Sequence, residues 1–286
     1  MSADWPFRWD LLLRYRLIEI IALWEGRLTT NHLCNSFGIG RQQASKDINH
    51  YLRDIAPGNL IYNAQLKGYC PSDSFAPALT LGSADEYLHI LSRNQDISHT
   101  FEGLNLAMAN TEVLAVPKRA IEPAMLRGLV RAAREERRVE VGYVSLNSPN
   151  IEERIIEPHT LVFTGLRWHV RAYCEKNRDF RDFVLSRFRG EPELLDKALV
   201  SNKEDSRWHQ SVAIHIQPDP RLSAAQRKII AHDYGMKRNR LRINCRAALV
   251  EYTLQALNID PRKIEPKPEA QQIVISNLDA IKRWLF

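Results

Sequence analysis

RQQASKDINHYLRDI, running from Arg41 to Ile55, follows a tight Gly38-Ile39-Gly40 turn and precedes Pro57-Gly58. Ala44, Ile48, Tyr51, Leu52 and Ile55 fall at i, i+4, i+7, i+8 and i+11, the spacing of one apolar stripe on a helix. Gln42, Lys46, Asn49 and Arg53 project from the opposite side, flanked by Gln43, Ser45 and His50. Amides and cations so placed have the chemistry that reads base edges and grips phosphates in a major groove.

Upstream, residues 10–25 (DLLLRYRLIEIIALWE) repeat apolar side chains at three- and four-residue spacing and predict a first helix, which Gly26 ends. Thr29 or Thr30 caps a short second helix whose Leu33, Cys34 and Phe37 face inward. Downstream, Leu60-Ile61-Tyr62, a polar turn and Lys67-Gly68-Tyr69 predict a two-stranded wing with Lys67 at its tip. Residues 1–71 therefore read as a winged helix-turn-helix. Its candidate DNA contacts are Thr30, Arg41, Gln42, Gln43, Ser45, Lys46, Asn49, Arg53 and Lys67. A plain three-helix bundle with a solvated polar face shares much of this pattern. The Thr-capped short helix, the amide-rich start of helix three and the wing favour the DNA reader.

The chain has 286 residues, enough for two or three domains. With 44% hydrophobic and 26% charged residues it is not a disordered chain. No run approaches the roughly 18 apolar residues of a membrane span, and no signal peptide is visible, so a cytoplasmic protein is expected. Cys34, Cys70, Cys174 and Cys245 lie far apart without a CxxC pair, so neither a zinc site nor a disulfide framework is expected, and no cofactor. His159, His169, His209 and His215 can be cast as bases, but no metal-ligand spacing or paired carboxylate accompanies them, and an enzyme is not expected.

The net charge is +6, which permits a polyanionic partner without requiring one. It is unevenly spread: +2 over residues 1–71, −4 over 72–122, +2 over 123–201 and +6 over 202–286. Residues 72–122 read as a helical linker. Residues 72–82 are a connector, Ser83 to Glu86 resembles a capping box for a helix over 84–93, and residues 101–116 are apolar enough to pack. That segment either transmits a signal or packs passively. Another helix is expected from Pro123 to about Arg138.

After Arg138 the period switches to two. Strands are predicted over 139–145, 155–163, 165–174 and 181–189, forming a small, bent antiparallel sheet or barrel. In the third, Arg167, His169, Arg171 and Tyr173 share a face. In the fourth, if unbulged, Arg181, Phe183, Leu185, Arg187 and Arg189 do. Arginines beside aromatic rings can bind phosphate and stack on bases. A solvated face with arginines paired to Glu152, Glu153, Glu157, Asp179 or Asp182 explains them equally well.

The runs Glu157-Pro158-His159, Gly165-Leu-Arg-Trp168-His169-Val170-Arg-Ala172-Tyr173-Cys174 and Asp179-Phe-Arg181-Asp-Phe183-Val-Leu185-Ser-Arg187-Phe188 resemble a WYL domain. The family's Trp-Tyr-Leu triplet is matched by Trp168-His169-Val170, with His and Val as departures. Val184 and Ser186 replace the inner Arg and Asp of its closing strand. The whole chain is similar to WYL transcription regulators, nearest to the BrxR/CapW group of phage-defence-associated homodimeric repressors. The resemblance implies an Sm-like barrel over 123–201, a dimerising α/β extension over 202–286 and an α+β multidomain chain overall. It implies a double-stranded operator with an inverted repeat and a nucleotide or nucleic-acid effector. It places the ligand surface on Tyr143, Ser145, His159, Arg167, His169, Arg171, Tyr173, Arg181, Phe183, Arg187 and Arg189. An activator that senses single-stranded nucleic acid is the alternative. In the last segment, strands and helices alternate between residues 211 and 286. Lys237, Arg238, Arg240 and Arg242 can bind an anion there or form a solvated basic loop.

Overall fold

The computed structural model describes residues 8–98, 112–114, 117 and 119–285. The chain divides into two compact units, Met1–Ala115 and Val116–Phe286.

In the first unit, α1 (Trp9–Ile20) continues through a π-helical turn, Ile21–Glu25, and stops at Gly26, whose φ of 70° only glycine adopts freely. Then come α2 (Thr30–Phe37) and α3 (Arg41–His50), the latter extended by a π-helical turn, Tyr51–Ile55. Strands β1 (Leu60–Asn63) and β2 (Gly68–Pro71) pair antiparallel, and Leu28 bridges Tyr69 on the far side of β2. Gly68 is required there, since a Cβ would sit 2.8 Å from the Leu28 carbonyl oxygen. Tyr15, Ile18, Ile21, Leu28, Leu33, Ala44, Ile48 and Tyr51 form one core. Helix α4 (Ala84–Ser98) is longer than expected; Tyr87 and Leu91 pack on Ile20. The expected packing of residues 101–116 falls largely outside the described residues.

The expected connector is instead pinned. Glu19 sits in the apolar run of α1 and is fully buried. Its carboxylate accepts the Tyr51 hydroxyl (3.0 Å), the backbone N–H groups of Ala78, Leu79 and Thr80 and the Thr80 hydroxyl. Asn59 donates to both Tyr51 Oη and the Ala76 carbonyl. A buried carboxylate persists when its lone pairs are satisfied in this way.

In the second unit, α5 (Pro123–Glu135) lies on a five-stranded antiparallel sheet of β3 (Arg137–Tyr143), β4 (Glu152–Phe163), β5 (Trp168–Cys174), β6 (Asp179–Val184) and β7 (Phe188–Lys197), in the order β6-β5-β4-β3-β7. Met125, Leu129 and Ala132 of α5 pack on Val139, Val141, Ile156, Val170 and Ala172. The edges β6 and β7 share no ladder, so the strand pairing does not close into the expected barrel. The expected fourth strand, 181–189, is two strands. A 3₁₀ turn at Leu185–Arg187 bends the chain from β6 into β7. Strict alternation fails across that turn, and Phe183, Leu185 and Phe188 all enter the core.

The chain continues through α6 (Ser206–His209) and β8 (Ser211–Pro218) to α7 (Ala224–Asp233) and β9 (Leu241–Arg246). It ends with α8 (Val250–Ala256), α9 (Pro268–Gln271), β10 (Ile273–Ile275) and α10 (Leu278–Ile281). Strands β10-β8-β9 form an antiparallel sheet whose inner face, with Ile214, Ile216 and Ile273, packs on Val250, Leu254 and Ile281.

Candidate nucleic-acid interface and buried polar sheet

Helix α3 starts at Arg41, preceded by the extended Gly40 and by Gly38 in a left-handed turn with φ 63°. Ahead of it, the Thr29 N–H donates to His32 Nδ1 at 3.0 Å and closes the first turn of α2, leaving Thr30 half-buried as that helix's first residue. Arg41, Gln42, Gln43, Lys46, Asn49 and Arg53 are exposed and Ser45 is half-buried. Two of these are engaged within the protein. Gln43 Nε2 donates to Asp47 at 2.8 Å, and Asp47, itself buried, pairs with Arg14 of α1 at 2.8 Å. This ties α3 to α1. Arg53 grips Asp54 with Nε and Nη2, so its charge is locally offset. Arg41, Gln42, Lys46 and Asn49 carry no side-chain hydrogen bond or ion pair among the described residues. Gln42, Lys46 and Asn49, at i, i+4 and i+7, form a ready stripe. Lys67 sits exposed in the wing turn with φ 49°.

The arginine face of β5 has a different fate. Arg171 is 3% exposed and clamps Asp205 with Nε (2.7 Å) and Nη2 (2.9 Å), while Nη1 reaches Asp182 at 3.3 Å. His159 Nε2 lies 3.2 Å from the same Asp205. Its position comes from a bulge: Pro158 pairs with Ala172 and Thr160 with Arg171, leaving His159 as the extra residue. Asp205 also caps α6 by accepting the Trp208 N–H. Burial alone would raise the Asp205 pKa, but the hydrogen bonds from His159 and Arg171 outweigh it and hold the carboxyl well below its usual range. Asp182 goes the other way, since burial outweighs Arg171. Tyr252 of α8 donates to Asp182 at 3.4 Å, and its ring lies 5.1 Å from that of His169. Burial first, then Arg167, Arg187 and Arg119, push the His169 pKa down to about 4.

The implied ligand set thus separates. Tyr143 and Phe183 are core residues, their rings edge-on at 5.0 Å, and Tyr143 Oη accepts the Val184 N–H. His159, His169 and Arg171 belong to the buried network. Ser145 closes a turn with Ser148. Arg167, Tyr173 and Arg187 are half-buried, and Arg181 and Arg189 are exposed. Sequence reasoning missed Glu19, Asp205 and Tyr252. The signals were present: an acid inside an apolar run, and an Asp preceding a short helix.

Helix α3 with its β1–β2 wing, and an arginine-bearing five-stranded sheet in a second unit, define a winged-helix regulator of the WYL type. Family models match as the BrxR transcriptional regulator winged helix-turn-helix domain over residues 10–93, the WYL domain over 124–190 and the BrxR transcriptional regulator C-terminal dimerization domain over 211–281. The DNA-binding transcriptional repressor CapW of Stenotrophomonas maltophilia is 32% identical, covering 99% of this chain and 95% of its own. That of Pseudomonas aeruginosa is 35% identical, over 96% and 92%. The chain belongs to the BrxR/CapW family of DNA-binding transcriptional repressors. No helix among the described residues is long and apolar enough to cross a membrane.

Proposed function

We propose that this protein represses a phage-defence operon as a homodimer. Two copies of α3 would enter successive major grooves about 34 Å apart, or a multiple of that, on an inverted repeat. It acts by binding, not by catalysis. In domain terms, 1–71 reads DNA, 72–122 links, 123–201 senses and 202–286 dimerises. The observation that carries this reading is the exposed Gln42–Lys46–Asn49 stripe, free of internal partners among the described residues, on a helix fixed to α1 through Asp47 and Arg14.

The sheet of the second unit senses a nucleotide or nucleic-acid effector through Ser145, Arg167, Tyr173, Arg181, Arg187 and Arg189, backed by the buried His159, His169 and Arg171. Effector binding favours the arrangement with lower operator affinity and relieves repression. Footprinting on the DNA upstream of the protein's own operon tests the reading. A protected inverted repeat supports it, and absence of one sinks it. Lys46→Ala should lower affinity for that site, and unchanged affinity would remove α3 from the reading role.

A further inference from the structure

The largest excess of positive charge lies in residues 202–286, not in the winged helix, and the fold concentrates part of it. In β9, Leu241, Ile243 and Cys245 turn into the core, so Arg242, Asn244 and Arg246 point outward and are exposed. Arg240 precedes them in the same parity. Arg238 and Asn239, both left-handed, form a two-residue turn that pairs Lys237 with Arg240, putting those two cations on one side. On β8 the residues opposite are Ser211, Ala213 and His215, with Gln217 next in parity. Gln217 pairs with Val274 of β10.

That face holds cations, amides, an imidazole, a hydroxyl and the apolar Ala213 and Val274, with no carboxylate at any of its strand positions. None of Lys237, Arg238, Arg240, Arg242 and Arg246 forms an ion pair among the described residues. Arg246 is also oriented, since its guanidinium lies 4.6 Å over the Trp208 ring and donates to the Trp208 carbonyl. Alternate strand residues stand about 7 Å apart, so Arg240 and Arg242 are one step apart and Arg246 lies two steps further along, beyond Asn244.

We propose that this face of the β8–β9–β10 sheet binds the phosphate backbone of duplex DNA, as a contact separate from the winged helix. Charge selects this occupant over a second copy. Pairing β9 with its own copy about Asn244 would set Arg242 against a copy of Arg246, and like charges directly opposite are destabilising. Dimerisation then uses other surfaces of the C-terminal unit.

The test is salt-dependent fluorescence anisotropy of the full chain on a short labelled duplex of arbitrary sequence. The variant Lys237→Gln/Arg240→Gln/Arg242→Gln should flatten the slope of log K against log[salt] by about 2–3, roughly 0.9 per lost phosphate contact. Its preference for operator over arbitrary duplex should be unchanged. The hairpin-only variant Lys237→Gln/Arg240→Gln, which leaves β9 intact, should flatten the slope by about 2. Wild-type slopes in both variants would overturn the proposal. So would a loss of dimer mass by light scattering in either variant, which would assign the face to a copy-to-copy contact. Lys46→Ala run in parallel separates this proposal from the reading of α3, because it should reduce the operator preference instead.

Discussion

Replacing Glu19 with Gln changes one oxygen to an amide nitrogen and removes one charge at a fully buried site. In the native protein Oε1 accepts from Tyr51 Oη (3.0 Å) and Ala78 N (2.9 Å), Oε2 accepts from Thr80 N (2.9 Å) and Thr80 Oγ1 (2.8 Å), and Leu79 N is shared at 3.1 and 3.0 Å. Whichever way the Gln amide turns, its NH2 faces a backbone N–H, Ala78 or Thr80, that cannot reverse its role. The hydroxyl beside it can rotate to accept. One stranded N–H costs about 1–3 kcal/mol, and each remaining bond that loses its charged acceptor weakens by about 1 kcal/mol. With three bonds left on the surviving oxygen, the sum is about 4–6 kcal/mol. Urea denaturation of the first unit should show this as a lower midpoint at unchanged slope. Hydrogen exchange should show the amides of Ala78, Leu79 and Thr80 losing protection by about three to four orders of magnitude, while amides in β3 and β5 are unaffected. A loss below about 1 kcal/mol, or unchanged protection at residues 78–80, would refute the assignment of Glu19 as the anchor of this segment.

Arg171→Met leaves the buried Asp205 with only His159 and the Trp208 N–H, and should cost about 3–5 kcal/mol in urea unfolding of the second unit. Arg171→Met/Asp205→Leu should recover most of that loss, and equal destabilisation in both variants would argue against a coupled pair. For His169 the unfolded value is near 6.5 and the folded value about 4. The unfolded state binds the proton first, so this contribution is complete above about pH 6.5 and lost as pH falls towards 4, by up to about 3 kcal/mol. His169→Phe should flatten the stability–pH curve in that window, and an unaltered slope would refute the argument. Gly128→Ala should destabilise by about 1–3 kcal/mol in thermal unfolding despite alanine's better helix propensity, because its Cβ meets the Pro192 ring of β7. A raised melting temperature would show that β7 yields instead.

Much of the winged helix was legible because its signals are local. The apolar stripe of α3, the left-handed glycines at 26 and 38 and the short strands of the wing depend on residues a few positions apart. The stripe Gln42, Lys46 and Asn49 follows from helical period alone. The C-terminal alternation of strand and helix was legible for the same reason, though Arg246 ends β9 where a helix was expected to begin. Residues 190–197 were not read as a strand, because β7 alternates weakly.

Tertiary structure decided what covers each face. Period two placed Arg167, His169, Arg171 and Tyr173 on one side of β5, but a polar strand face looks the same in sequence whether water, ligand or protein lies over it. Asp205, 34 residues from Arg171, and Tyr252, 70 residues from Asp182, settle the matter for the two buried members. The bulge that turns His159 toward Asp205 is a register fact between two strands, and the turn at Leu185–Arg187 that breaks the arginine run is set by packing Phe183, Leu185 and Phe188 together. Glu19 follows the same rule. The sequence by itself determined which residues sit on which side of each helix and strand, because period is a local property of the backbone. Only the fold determined which charges are exposed and which are buried against partners, because burial depends on contacts across tens of residues.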